Sequence, residues 1–176
     1  MRMLAPCLTV VLMLLAAAPA AQAQAAKQGG PESAGTFETW KLFTFVEGGK
    51  RGCFLFAEPT KKAGAEGRQR GQVALQVTHR PAEKRFDEVS VMAGYPYKEK
   101  SESRMSVGAK SFTLFTDREA SWAKTPKDDA DIVAAMRGGQ TLTVKGMSRS
   151  GAETTDTYAL KGFAEGYQKM SQLCRR

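Results

Sequence analysis

From Phe37 to Phe115 the chain runs as a series of short apolar stretches of about five to seven residues, each ended by glycine or proline. That punctuation favours an antiparallel two-sheet sandwich over layered α/β units. Phe37 to Val46 carries Trp40, Leu42 and Val46 on one face and Lys41, Phe43 and Phe45 on the other. With both faces largely apolar, this strand belongs inside a sheet or under a cover. Glu47-Gly-Gly-Lys50 has hairpin composition, and Cys53 to Ala57 returns with Phe54 and Phe56 on one face until Pro59 ends it.

Thr60 to Gly71 is rich in Lys, Arg and Gly and is expected to be a loop. Val73, Leu75 and Val77 then alternate with Ala74, Gln76 and Thr78, the pattern of a half-buried strand. His79-Arg80-Pro81 closes it, and Phe86 to Met92 opens the next, with Val89 and Val91 on one face. Gly94-Tyr95-Pro96-Tyr97 breaks that strand, and Met105–Val107 and Ser111–Phe115 pair around Gly108.

Two helices interrupt the strands. Asp128 to Arg137 has acidic residues in its first turn, Ile132, Val133 and Met136 on one side, Arg137 in the last turn and Gly138 placed for a left-handed cap. Phe163 to Leu173 spaces Phe163, Tyr167 and Met170 at helical intervals, although Gly166 weakens it by about 1 kcal/mol relative to alanine. Between them, Leu142 and Val144, then Tyr158 and Leu160, face inward on a hairpin closed by Ser148-Arg-Ser-Gly151.

The N-terminus sets the compartment. Met1-Arg2, an apolar run from Leu8 to Ala18 and a small-x-small ending make a secretory signal peptide, too short to span a bilayer. Residues 1–23 are expected to be removed, with a second suitable cut after residue 25. Residues 24–35 follow as a flexible leader and 36–176 as a single domain. Removing Arg2 from the 26 Lys and Arg leaves 25 against 18 Asp and Glu, a net +7. Cleavage also removes Cys7. Cys53 and Cys174 remain, and an even pair in an exported chain is expected to form a disulfide. Closing a loop of about 120 residues would remove close to 5 kcal/mol of unfolded-state entropy on the chain-entropy model.

No reactive set stands out. His79 is the single histidine and is expected at a strand end, and zinc would need three or four ligands. Neither a metal nor a cofactor is expected. Asp128, Asp129 and Asp131 lack the glycine and terminal glutamate of a calcium loop and suit a helix N-terminus. Asp156 faces inward by alternation, so it is expected to bond backbone or hydroxyl groups in a turn or bulge. Ser148 and Ser150 belong to the hairpin turn. No catalytic residue is assigned, and the chain is expected not to be an enzyme. Lys61, Lys62, Arg68 and Arg70 concentrate positive charge in one segment, and Lys98, Lys100 and Arg104 in another. The first group is the candidate contact for a polyanion such as an acidic glycan or lipid headgroups. Export argues against nucleic acid.

Several motifs in order carry a family resemblance: Val89-Ser-Val-Met-Ala-Gly-Tyr-Pro-Tyr97, Ala120-Ser-Trp-Ala123, Asp131-Ile-Val-Ala-Ala-Met-Arg-Gly-Gly139, and Lys145-Gly-Met-Ser148 leading to Thr154-Thr-Asp-Thr-Tyr-Ala-Leu-Lys-Gly-Phe163. From Trp40 to Cys174 the chain resembles the invasion-associated locus B family of exported proteobacterial proteins, with a looser match over Pro59 to Gly71. The resemblance implies an all-β, immunoglobulin-like antiparallel sandwich with two short helices. It also implies a non-enzymatic envelope protein of the periplasm, outer membrane or surface. Such a protein would contribute to host-cell invasion or envelope maintenance through an envelope or host-surface partner. The alternative is a periplasmic small-ligand or polyanion binding module using the basic loops.

Overall fold

The structure, a computed structural model, describes residues 30–64 and 69–175. The expected signal peptide, both its cleavage sites, the start of the leader and Arg68 lie outside the described residues. Eleven strands are described: β1 (Glu32–Phe37), β2 (Trp40–Glu47), β3 (Lys50–Ala57), β4 (Lys61–Ala63), β5 (Ala74–Arg80), β6 (Arg85–Met92), β7 (Glu102–Val107), β8 (Lys110–Asp117), β9 (Ala120–Ala123), β10 (Thr141–Met147) and β11 (Glu153–Ala159). The helices are α1 (Pro126–Gly138) and α2 (Phe163–Leu173). The all-β antiparallel class with two helices is the one expected.

The strands do not divide into two separate sheets. They hydrogen-bond in the single order β1-β2-β3-β5-β6-β9-β8-β7-β10-β11-β4, every pair antiparallel. A short seam between β6 and β9 joins two halves that share one core. Trp40, Leu42, Leu55 and Val91 come from the first half, and Met105, Leu114, Leu142 and Tyr158 from the second. Trp40 is fully buried, its indole N–H donates to the Ala159 carbonyl at 3.0 Å, and Phe163 meets it edge-on at 4.8 Å. Each such side chain contributes roughly 2–3 kcal/mol by leaving water.

Local chemistry explains the turns. Gly48 and Gly49 both have positive φ (55° and 75°), which a two-residue hairpin with the right twist requires, and Glu47 pairs with Lys50 across it. Thr125 caps α1 by accepting the Asp128 N–H at 3.1 Å, with Pro126 in the first turn.

Three expectations need correction. The last residues of the presumed leader, Glu32 to Gly35, are part of β1, because the edge of β2 offers them backbone partners and Phe37 packs on the core. The loop from Thr60 to Gly71 contains β4, which covers the outer edge of β11 at Thr155–Thr157. The left-handed cap at Gly138 is absent. The residue after the helix, Gly139, is extended at φ −89°, and a Cβ there would lie 2.4 Å from the Val107 Cγ1. Glycine is thus required for close approach. Gly166 is similar: a Cβ on it would meet the Leu55 Cδ2 at 2.9 Å, so the helix propensity lost there allows α2 to sit down on β3.

Candidate functional site

The concave site follows from an interruption in β6. Asp87 sits in the left-handed region (φ 61°), where the register of β6 against β5 shifts between Thr78 and Arg80. Beyond that bulge β9 pairs with β6 only over Ser90–Met92. The start of α1 takes the missing strand's place, and the Val89 N–H donates to the Asp129 Oδ1 at 2.8 Å. An open groove of about 640 Å³ results, its lining including Phe86, Glu88, Phe115, Trp122, Lys124 and Asp129. Phe115 stacks on Trp122 at 5.5 Å and stays 45% exposed. Burial pushes the Asp129 carboxyl up to about 6, against the bond from Val89, and the nearby Glu88, Asp87 and Asp128 add to the rise. The site therefore offers an apolar ring surface beside a carboxyl that burial holds well above the usual carboxylate range.

Two buried polar centres lie elsewhere. Arg70 donates Nη1 and Nη2 to the two carboxylate oxygens of Asp156, both at 2.7 Å, and donates Nε and Nη2 to the Ala93 carbonyl at 3.0 and 2.6 Å. Burial works against the guanidinium charge, but the bond and charge of Asp156 prevail and hold its pKa above the ordinary value. Arg70 also lies over the Tyr95 ring, whose phenol burial pushes up to about 12 and whose oxygen lies 2.7 Å from the Thr154 hydroxyl. The second centre joins the His79 Nε2 to the Asp87 Oδ1 at 3.0 Å. The Tyr167 hydroxyl donates to the same oxygen at 2.7 Å, and the His79 Nδ1 faces the Cys174 carbonyl at 3.3 Å.

A family model described as invasion associated locus B (IalB) protein matches residues 40–171. The chain belongs to the IalB family. Among solved structures it is similar to invasion associated protein B from Bartonella henselae, at 18% identity and a TM-score of 0.57, over 81% of this chain and 96% of that one. At that identity the likeness supports the fold alone. Comparison with curated proteins gives no match. IalB is a family of exported bacterial proteins and is not known as enzymatic.

The structure of this IalB-family chain redistributes the residues singled out from sequence. Cys53 and Cys174 form a disulfide, with Cα atoms 6.0 Å apart, that pins the end of α2 to β3. Lys61 and Lys62 are exposed on β4. Arg70 is not available to a polyanion, because its guanidinium is spent on Asp156. Asp156, in turn, bonds an arginine from mid-strand, not backbone or hydroxyl groups in a turn or bulge. His79 lies at the end of β5, as expected, and is fully buried there. The acidic cluster separates into three roles: Asp128 at the Thr125 cap, Asp129 on Val89, and Asp131 on the Lys127 ammonium at 2.5 Å. Among the described residues no three His, Cys, Asp or Glu side chains converge as a metal site. Ser148 and Ser150 bond each other at 2.9 Å within the hairpin turn.

Sequence reasoning missed Asp87, Tyr167 and the Phe115–Trp122 pair. A signal for the first existed. His79 shares the face of Val77, and Asp87 shares that of Val89, so alternation alone places both ionisable groups inward. Nothing in the sequence shows that β9 stops short of Val89.

Proposed function

We propose that this IalB-family protein is a non-enzymatic exported envelope component that works in the periplasm or at the outer membrane or surface. It acts by contact with an envelope or host-surface partner, contributing to host-cell invasion or envelope maintenance. The observation that supports this most is the groove beside β6, with its Phe115–Trp122 stack, of which Phe115 is exposed, where β9 stops pairing with β6. An exposed phenyl ring stacked on a half-buried indole next to an interrupted sheet suits an extended segment of a partner protein. The buried polar centres serve the fold instead, since their groups are bonded to one another. A signal peptide at residues 1–23 would deliver the chain to that compartment.

The test is a deletion strain scored for envelope integrity and host-cell entry, complemented with wild type or with Phe115→Asp. The expected result is a defect that wild type restores fully and the variant only partly. A deletion strain unchanged in both assays would overturn the proposal. A second reading, a polyanion-binding module, is favoured by the exposed Lys61 and Lys62 but not by Arg70.

A further inference from the structure

The register of the second half of the sheet aligns Ala63, Thr155, Lys145, Arg104 and Thr113 across β4, β11, β10, β7 and β8. The parallel row beside it is Lys61, Thr157, Thr143, Ser106 and Ser111. The alternate positions, Val144 and Met105, point into the core, so both rows stand on the outer face. Six hydroxyls and three exposed cations therefore share one surface about 19 Å across, given a strand spacing of roughly 4.8 Å.

The placement of charge on this face works against the fold. Lys145 and Arg104 are direct cross-strand partners, and like charges directly opposite one another destabilise a sheet. Neither forms an ion pair with any described residue. Of the carboxylates on the same face, Glu102 is bonded to Lys124 at 2.5 Å and Asp117 lies 3.6 Å from the Arg118 Nε, while Glu153, at the end of β11 opposite Met147, forms no ion pair with a described residue. Between the cations in these two rows are only short hydroxyl side chains, so the ammonium and guanidinium groups reach beyond their neighbours on an open strand face.

We propose that this face docks on an anionic lipid bilayer, with Lys145, Arg104 and Lys61 set against headgroup phosphates and the flanking hydroxyls donating to phosphate oxygens. The inference rests on the reading that the protein acts by surface contact, and gives that contact a second location. Cations spread across several strands of one open face complement a layer of headgroup phosphates. A flexible acidic glycan is held better by a cleft, and Arg70, whose charge was expected to face a polyanion, is buried in an ion pair with Asp156.

The experiment is co-sedimentation of the mature protein with vesicles of phosphatidylglycerol and phosphatidylcholine, at low and physiological salt, with melting followed in parallel. At about fivefold per cation, Arg104→Gln/Lys145→Gln should lower partitioning about 25-fold while its melting temperature stays level or rises, because a repulsive pair is gone. Lys41→Gln/Lys50→Gln removes the same charge from the other half of the sheet and should leave partitioning unchanged. If the first double variant folds poorly, Lys145→Thr, which copies the neighbouring hydroxyls, should lower partitioning about fivefold. Equal losses in both double variants, salt-independent partitioning, or binding to neutral phosphatidylcholine would overturn the proposal. So would capture by soluble dextran sulfate without vesicle partitioning. A null vesicle result removes this surface and leaves the Phe115 complementation test standing, and the converse also holds.

Discussion

Arg70–Asp156 and His79–Asp87–Tyr167 are both buried polar centres built around a single carboxylate, yet they are assembled in opposite ways. The first is a two-pronged pair of full charges, drawn from segments 86 residues apart, and it ties the approach to β5 and the Ala93 carbonyl to β11 in the other half of the sheet. The second is a chain of single bonds among aromatic edges, with Phe86 and Tyr167 both meeting the His79 ring edge-on, and it ties α2 and the disulfide end to β5 and β6. Each joins pieces that strand pairing leaves loose. The difference is in what remains if one member is lost: a guanidinium with no counter-charge when Asp156 is removed, and a carboxylate short of one of its donors when Tyr167 is removed.

The comparison is broken most severely at Asp156. Asp156→Ala should cost about 3–5 kcal/mol in chemical denaturation, because Arg70 stays buried without its partner, whereas Arg70→Met/Asp156→Leu should recover most of that loss. If the single and double variants lose the same amount, the pair's geometry and not the orphaned charge explains the cost. The second centre should give less. Tyr167→Phe removes one donor to Asp87 and should cost about 1–1.5 kcal/mol, measured by the same denaturation midpoint. A loss as large as that of Asp156→Ala would mean the two centres are equally dependent on single groups.

Asp129 sharpens the contrast through pH, because it is a half-buried carboxyl with no cation. Its folded pKa of about 6 lies above the ordinary 3.8. The folded state thus holds this proton more tightly than the unfolded chain, and the group's contribution falls as pH rises from about 4 to about 6. Asp129→Asn should flatten the stability profile over that window and raise stability above it by about 1 kcal/mol, after allowance for solvent screening. Thermal melts at closely spaced pH values would show it. An unchanged profile would place the proton on another group.

Much of the fold was legible because β-structure writes its pattern locally. Gly48-Gly49, the alternation from Val73 to Val77, the acidic entry and apolar side of α1, and the four-and-three spacing on α2 each name an element from its own residues. Boundaries were less legible where a partner decides them. β1 and β4 are strands only because β2 and β11 present unpaired edges, and their own sequences, Glu32–Phe37 and Lys61–Ala63, carry no strand period. The candidate site was the least legible. Phe115 and Trp122 are far from Asp129 in local pattern, and they line one groove because β9 ends early against β6.

The sequence by itself determined the antiparallel β class, both helices, the cysteine pair and the family, since each depends on residue type at short spacing or on motifs kept in order. Tertiary structure alone decided that the two layers are one folded sheet, that Arg70 is bonded to Asp156 inside the protein, and that Lys145 stands directly opposite Arg104. The physical reason is register. Which residues become cross-strand neighbours depends on how distant strands align to bury one shared core, and that alignment has no expression in any single segment.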